Sequence, residues 1–305
     1  MSTTGESNYH VPVLLKETIE LLDVKTDGIY VDCTFGGGGH SKAILEKLTD
    51  KGRLVAFDQD EAAKKNLPGD KRLSFIPHNF RHIKRFLQLH GIDEVDGIIA
   101  DLGVSSHQFD ESDRGFSTRF DARLDMRMDQ RQLQTALTVL NNYSEIQLHK
   151  LFEQYGEVTN SKTLARTIVE ARKTTPLLTT NGLKETVESI VKGNPNKYFA
   201  QVFQALRIEV NDEFGALKEM LEQVPQILKK GGRIAMITFH SLEDRIVKGF
   251  FKEGTFKVKE ENPFVMDKIF NPLKAINKKP IEATEEEIRK NSRSRSAKLR
   301  VAEKL

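Results

Sequence analysis

A run of four glycines at positions 36–39 constrains the fold of this chain more than any other feature. It follows an apolar, β-rich run at 29–31 that ends in an acid, Asp32, and it precedes a segment of helical character near Ser41. Glycine lets the backbone adopt positive φ and approach a ligand closely. A strand, a glycine turn and a helix therefore present exposed amides and a helix N-terminus to a nucleotide-like ligand.

A second acid supports a nucleoside-bearing ligand. The predicted strand 53–57 delivers Asp58, about twenty residues beyond the turn, where it can accept hydrogen bonds from a ribose diol. The dinucleotide fingerprint GxGxxG fails, because Ser41 and Lys42 stand where its third glycine is needed, and no phosphate-binding GKS or GKT follows. Asp32 is placed to hold a cationic amine, such as the amino-acid end of S-adenosylmethionine. The pattern predicts a methyltransferase rather than a dehydrogenase.

Composition bounds the class of protein. The 305 residues suffice for one large α/β domain with an insertion, or for two small domains. No stretch approaches the roughly 18 apolar residues of a membrane span, and the polar N-terminal segment has no hydrophobic signal core. The single cysteine, Cys33, excludes a disulfide framework within the chain; it is expected in the core and favours a cytoplasmic location. A net charge of +3 does not by itself identify a nucleic-acid binder.

The order of predicted elements indicates a sheet domain interrupted by helices. Strands alternate with helices up to residue 101, which predicts an α/β fold with a doubly wound, mostly parallel sheet. We expect a discontinuous methyltransferase domain at 1–108 and 208–305, and a helical insertion domain at 109–207. The predicted strands are 29–33, 53–57, 73–76, 95–100, 233–239 and 297–301, and the predicted helices are 12–22, 40–49, about 80–90, 133–140, 145–155, 161–172 and 182–192.

The carboxyl ends of parallel strands define the expected ligand site. Four segments end there: Asp32 with the glycine turn, Asp58, Asp101 with its loop, and residues 238–245. Asp101 could be only a turn or capping carboxylate, but the polar residues behind it favour a functional role. Those residues are Ser105, Ser106 and Gln108.

Residues 119–131 alternate in charge with a period of two. In an extended segment all these charges share one edge, whereas on a helix they would scatter. One interpretation is a self-paired, solvated loop; the other is an ordered loop that presents arginines, Arg127 among them, to an anionic substrate. The sequence leaves both open. The charged residues are Arg119, Asp121, Arg123, Asp125, Arg127, Asp129 and Arg131.

Residues 238–245 carry a histidine, two carboxylates and an arginine, a set that can bind a base or a phosphate. The acids Glu243 and Asp244 also suit the first turn of a helix, where negative charge is favoured. No second histidine or cysteine lies at ligand spacing, so no metal site is expected. The candidates for substrate contact are His240, Ser241 and Arg245.

The stretch 289–300 carries six basic residues and no acid. It leads into the predicted final strand, so we expect it to be held against the fold rather than to form a free tail. Basic side chains on a folded scaffold provide a phosphate-binding surface. The candidates are Arg293, Arg295 and Lys298.

Several long motifs together resemble one known family. They are YHVPVLLKE, the DCTFGGGGHS turn, DLGVSSHQFD with DRGFS, LDMRMD, VFQALRIEVNDE, FHSLEDRIVK and SRSAKLRVAE. In this order they are similar to the bacterial family that methylates the N4 amine of a cytidine in 16S ribosomal RNA, the RsmH or MraW family. The resemblance runs from about residue 9 to 303.

The resemblance implies an S-adenosylmethionine-dependent methyltransferase fold acting on a decoding-centre cytidine of the small ribosomal subunit. It leaves the choice between monomer and homodimer open. Arg123, Asn277 and Ser292 depart from the family's usual residues, and none belongs to the cofactor set. With Asp32 added from the turn itself, the expected cofactor-binding residues are Gly38, Gly39, His40, Asp58, Phe80, Asp101 and Gln108.

Methylation of N4 requires an acceptor for an amine proton and alignment with the methyl donor, because the nitrogen lone pair is delocalised into the ring. We assign the acceptor to Asp101, with His240 as the second choice. The expected substrate contacts are Ser105, Ser106, Arg127, Ser241, Arg245, Arg293, Arg295 and Lys298.

Two alternatives remain at this point. A methyltransferase of the same fold could act on a different amine or on a protein, and it would then turn over without RNA. A non-enzymatic RNA-binding protein could retain the fold, and it would then bind no cofactor.

Overall fold

A computed structural model describes residues 12–105, 112–257 and 270–305. The chain forms two compact units, Met1–Gly103 with Gly215–Leu305, and Val104–Phe214. Within the described residues, no helix is long and apolar enough to cross a membrane.

The first unit is built on one eight-stranded sheet. The strands are β1 (Ile29–Asp32), β2 (Arg53–Phe57), β3 (Leu73–Ile76), β4 (Val95–Asp101), β5 (Leu228–Thr238), β6 (Leu273–Ala275), β7 (Ile281–Glu282) and β8 (Lys298–Lys304). Their order is β3-β2-β1-β4-β5-β8-β6, with β7 also paired to β8. The first five strands run parallel, and β8 is antiparallel to its three neighbours. The predicted doubly wound, mostly parallel sheet is confirmed.

The described helices fall in both units, and their bounds follow the chain. They are α1 (Leu15–Leu22), α2 (Gly39–Lys47), α3 (Ile83–Leu89), α4 (Ala136–Asn142), α5 (Glu145–Gln154), α6 (Ser161–Ala171), α7 (Thr180–Val187), α8 (Pro195–Asn211), α9 (Glu213–Ile227), α10 (Ser241–Glu253) and α11 (Glu285–Lys290). Short 3-10 helices lie at Glu61–Asn66, Phe80–His82, Ser112–Arg114, Glu188–Ile190 and Ser292–Ser296.

Both faces of the sheet are covered, which explains why its strands are almost continuously apolar. Successive residues of β4 illustrate this: Ile98 belongs to one apolar cluster and Ile99 to another, and both are fully buried. Helices α3, α9 and α10 contribute to the first cluster, and α1 and α2 to the second. The sheet is therefore the middle layer of three.

Strand β5 begins earlier than predicted. The run Lys-Lys-Gly-Gly at 229–232 is typical of a turn and the predicted strand begins at 233, but β5 already starts at Leu228, which pairs with Val95. The register then shifts, and Gly97 pairs with Arg233. The glycines that looked like a turn form an irregularity inside the strand, with Gly231 at φ +75°.

The second unit has its own core of buried apolar side chains, centred on α4 to α8. Helix α8 begins with Pro195 in its first turn, and the side chain of Asn194 accepts the Lys197 N–H. No predicted helix covers this segment, although an Asn-Pro pair is a typical helix start. The side-chain N-caps of this unit are Thr135, Ser144, Thr179 and Asn194.

Gly97 offers a test of how tightly the sheet packs on α1. A Cβ atom at this position would lie 2.7 Å from Cε1 of Tyr30 and 3.0 Å from a methyl group of Leu22. We expect Gly97→Ala to lower the free energy of unfolding by about 1–3 kcal/mol, because both neighbours are fully buried. Chemical denaturation measures the change. Gly69→Ala is the control, since nothing lies within 4 Å of its Cβ position; equal stability of the two variants would contradict this packing.

Candidate active site

The carboxyl ends of four parallel strands bring the predicted acids to one edge of the first unit. Asp32 ends β1, Asp58 follows β2, Asp101 ends β4, and His240 lies two residues beyond β5. Strand β1 pairs with β2 on one side and β4 on the other, so the connections leave it in opposite directions. Ligands of open α/β sheets bind at such a switch point.

Asp32 is buried and fixes the start of the glycine turn. Its Oδ1 accepts the Thr34 N–H at 3.0 Å, and its Oδ2 accepts the Ser41 hydroxyl at 2.7 Å. Only 1% of its surface is exposed, and this burial raises the pKa of the carboxyl. The described contacts give Asp32 a positioning role, and its expected contact with a cofactor amine stays a prediction.

The glycine turn has a defined backbone conformation. Gly36 and Gly38 both have positive φ, at +50° and +77°, a conformation that disfavours other residues. Gly38 also lies against Phe35, whose ring would be 2.9 Å from an added Cβ. Helix α2 begins at Gly39, and no side chain caps it. Among the described residues, its first turn therefore has amide donors that no side chain caps, of the kind that bind anionic or polar ligand groups.

Asp58 is tied to the turn through backbone amides. Its Oδ2 accepts the Gly36 N–H and its Oδ1 accepts the Asp60 N–H, both at 2.8 Å. Burial raises the pKa of Asp58 to about 6, against the effect of these hydrogen bonds. Each oxygen keeps a second lone pair, so the carboxylate can still accept from a diol. Phe80, the first residue of its 3-10 helix, is half-buried against the core.

Among Asp32, Asp58 and Asp101, the carboxyl group of Asp101 accepts the fewest hydrogen bonds from the described residues. Its backbone N–H donates to the Thr34 hydroxyl at 2.7 Å, which fixes the end of β4. Its Oδ1 is buried and has no hydrogen-bond partner among the described residues. Burial, together with the neighbouring acids Asp32 and Glu243, raises the pKa of Asp101 well above its usual range. A quarter of the side-chain surface remains exposed, so a ligand can still reach it.

His40 faces Asp101 as a neutral ring. Its Nε2 donates to the Val13 carbonyl at 3.1 Å, so that nitrogen carries the proton and Nδ1 keeps its lone pair. Nδ1 lies 3.7 Å from Asp101 Oδ2, too far for a hydrogen bond. Burial lowers the pKa of His40 to about 4. The histidine therefore contributes shape and polarity rather than positive charge.

His240 is engaged as the N-cap of α10, which sequence reasoning did not foresee. Its Nδ1 accepts the Glu243 N–H at 3.4 Å, and its Nε2 lies 3.0 Å from Glu243 Oε1. Glu243 is 2% exposed, and its Oε2 accepts the Phe239 N–H at 2.9 Å. The His-x-x-Glu spacing matches a capping box, the signal that could have revealed this pair. Because its lone pair caps a helix, His240 is a weaker candidate than Asp101 for accepting a proton.

Helix α10 presents Ser241 and Arg245 on its exposed surface, one turn apart. Between them, Asp244 forms a two-pronged ion pair with Arg300 of β8, at 2.6 and 3.0 Å. This pair anchors α10 to the sheet. Arg300 was counted in the basic run, but its guanidinium is only 8% exposed and is already matched by a carboxylate.

The rest of the basic run differs in pairing and in exposure. Arg289 and Lys290 form ion pairs with Glu285 and Glu286, one turn earlier in α11. The three predicted RNA contacts lie in or beside the last 3-10 helix. Of these, Arg295 is exposed, whereas Arg293 and Lys298 are half-buried.

In the second unit, the alternating segment 119–131 is largely self-paired. Arg127 binds Asp125 through two contacts of 2.8 Å, and Arg131 binds Asp129 in the same way. Arg127 also donates to two backbone carbonyls. Between these charges, the buried residues Leu124, Met126 and Met128 join the core. Arg127 is thus held in place, and its contact with substrate stays a prediction.

Some predicted site residues cannot be compared with the structure. Ser106 and Gln108 lie outside the described residues, and Ser105 is half-buried in the second unit. Cys33 is buried, as expected, and burial raises the pKa of its thiol well above the usual value. Within the described ranges, no group of three or more His, Cys, Asp or Glu side chains is arranged to hold a metal ion.

Comparisons with known proteins give the chain's relatives. Residues 7–305 match the family model described as the MraW methylase family. A Flavobacterium johnsoniae protein named Ribosomal RNA small subunit methyltransferase H is 55% identical over 100% of both chains. A Parabacteroides distasonis protein of the same name is 51% identical over 98% of this chain and 99% of its own. Among solved structures, TrmN from Thermus thermophilus has a TM-score of 0.43 and 14% identity, covering 96% of this chain and 48% of that one.

The raised pKa of Asp58 predicts a pH-dependent stability. An acid that is harder to ionise in the folded state destabilises the fold as pH rises from about 4 to about 6, and adds no further change above that. The difference in unfolding free energy between Asp58→Asn and wild type should therefore shift by about 2 kcal/mol in favour of the variant as the pH rises across this window. Denaturation of both proteins at several pH values measures the difference, and His40 titrates in both. Parallel pH–stability curves would contradict the burial of this charge.

Proposed function

Because the chain belongs to the MraW methylase family, we propose that it methylates the N4 amine of a decoding-centre cytidine in 16S ribosomal RNA. It is a methyltransferase that uses S-adenosyl-L-methionine as methyl donor. The printed name of its relatives, ribosomal RNA small subunit methyltransferase H, supports the small subunit as partner. The choice of base and position comes from the sequence motifs. A ribosomal substrate also implies a cytoplasmic location.

The residues at the sheet edge fit an S-adenosyl-L-methionine site. The glycine turn leaves amide donors at the start of α2, Asp58 stands at the end of β2 with lone pairs for a diol, and Asp101 has an oxygen without a described partner. We propose that the cofactor is held by Asp32, Gly38, Gly39, His40, Asp58, Phe80, Asp101 and Gln108.

The observation that carries the chemical proposal is the uncompensated Oδ1 of Asp101. S-adenosyl-L-methionine supplies an electrophilic methyl group, and transfer of that group to N4 leaves one proton to be removed from the amine. A carboxylate whose pKa is raised well above its usual range is a better acceptor for this proton than an ordinary one. The Asp101 carboxylate takes the proton in our proposal, while the Thr34 hydroxyl holds the backbone of Asp101 in place.

RNA contacts would extend beyond the reacting base. We propose that the second unit recognises RNA and that exposed polar groups of the first unit hold the strand around a base drawn out of its stack. The exposed side chains of Ser241, Arg245 and Arg295 are suited to phosphates or base edges. Arg127 is included on its place in the alternating segment, although its guanidinium already binds Asp125 and two carbonyls. The proposed contacts also include Ser105, Ser106, Arg293 and Lys298.

Transfer of labelled methyl groups to small subunits that lack the modification tests the reaction. We expect label in N4-methylcytidine at one decoding-centre position. Asp101→Asn should reduce turnover at saturating cofactor by about 100-fold or more, because the proton acceptor is lost. Asp70→Asn is the matched control in the same unit, since Asp70 pairs with Arg72.

Two outcomes would contradict these assignments. Normal turnover of Asp101→Asn would remove Asp101 as the acceptor. Efficient methylation of small amines with no label in RNA would favour a methyltransferase acting on another amine.

The basic C-terminal surface makes a separate prediction about salt. If Arg293, Arg295 and Lys298 contact phosphates, replacing all three with Gln should lower the slope of log affinity against log salt by about two units. Filter binding or fluorescence anisotropy with small subunits measures the slope. The double variant Arg289→Gln/Lys290→Gln is the control, because both cations already pair within α11. An unchanged slope in the triple variant would exclude this surface from RNA binding.

A further inference from the structure

Three carboxyl groups at the site edge lie close together without a balancing cation. Among the described residues, no lysine or arginine comes within ion-pair distance of Asp32, Asp58 or Asp101. The basic side chain that lies beside them in the described ranges is His40, whose Nδ1 lies 3.7 Å from Asp101 Oδ2. Burial lowers the pKa of His40 to about 4, against the effect of its hydrogen bond to the Val13 carbonyl, so the ring is neutral. Elsewhere in the unit, Asp96 binds Lys229, and Asp244 binds Arg300.

The three acids differ in how their charge is stabilised. Asp32 accepts from a backbone amide and a hydroxyl, and Asp58 accepts from two backbone amides. These hydrogen bonds favour the ionised carboxylate. The Oδ1 of Asp101 receives no such bond within the described residues. Asp101 is therefore the member of the set that holds a proton most readily when no external cation is near.

The described groups that face Asp101 come from several elements, and none of them is a lysine or an arginine. Asp32 lies at the end of β1, His40 in the first turn of α2, and Glu243 in the first turn of α10 beside its cap His240. Asp32 and Glu243 both disfavour a negative charge on Asp101. A positive charge brought by a ligand would reverse this balance, because opposite charges attract strongly where solvent screening is weak.

We propose that this carboxyl set makes the site select the positively charged sulfonium form of the cofactor over its demethylated thioether product, with a proton leaving Asp101 when the sulfonium binds. The inference rests on the proposed use of S-adenosyl-L-methionine. The two forms share the adenosine and amino-acid groups and differ by one methyl group and one positive charge. Contacts to the shared groups stabilise both equally, so the charge decides the preference. After methyl transfer, the uncharged thioether product is no longer attracted to the carboxyl groups as the sulfonium was.

Calorimetry in two buffers with different ionisation enthalpies counts the protons released on binding. At about pH 6, S-adenosyl-L-methionine should release more protons from the wild-type protein than S-adenosylhomocysteine does. In Asp101→Asn this difference should disappear, and the ratio of the two dissociation constants should fall about tenfold toward equal binding. Asp70→Asn should change neither quantity, because Arg72 keeps the pKa of Asp70 low, at about 2.

Equal proton release by both ligands in the wild-type protein would overturn the inference, and this result does not depend on how any variant folds. An unchanged ratio of dissociation constants in folded Asp101→Asn would overturn it as well. If both ligands bind, RNA is methylated and proton release is equal, only this inference fails. If neither ligand binds, the cofactor assignment fails and the inference falls with it.

Discussion

The active-site edge depends on the buried carboxyl of Asp32. Its two oxygens hold the Thr34 amide and the Ser41 hydroxyl, so it joins the end of β1 to the first turn of α2. Thr34 in turn accepts the Asp101 N–H, which extends the same network to β4. Asp58 reaches the network from β2 through the Gly36 amide. One buried acid thus sets the relative positions of three neighbouring strands and the glycine turn between them.

This arrangement has an energetic cost that defines the chemistry of the site. Burying carboxyl groups without cations raises their pKa values, and the surrounding amides and hydroxyls only partly offset that effect. Carboxyl groups whose pKa values are shifted in this way cluster at functional sites. Acids elsewhere in the chain, such as Asp125 and Asp244, are instead neutralised by arginines with two-pronged geometry. The difference separates the part of the molecule built for reaction from the parts built for stability.

Much of this could be predicted from the sequence, because local patterns carry it. Strands β2 and β3 have the predicted bounds, and β1 and β4 each differ by one residue at the carboxyl end. Helix α8 was missed because Asn-Pro both ends one element and starts another. The capping role of His240 and the pairing of Arg300 with Asp244 were missed as well, the latter because it joins residues 56 positions apart. Such tertiary contacts decide which cations pair with carboxylates, and the periodicity of the sequence does not reveal them.

The placement of Cys33 has a practical consequence. Its side chain is the single thiol of the chain and is 2% exposed. Cys33 lies between Asp32 and Thr34, and its backbone N–H donates to the Ile99 carbonyl. A reagent can alkylate this sulfur only when that part of the sheet edge opens. The alkylation rate under native conditions therefore measures how often the active-site edge opens, and Cys33 serves as a probe of this motion without any substitution.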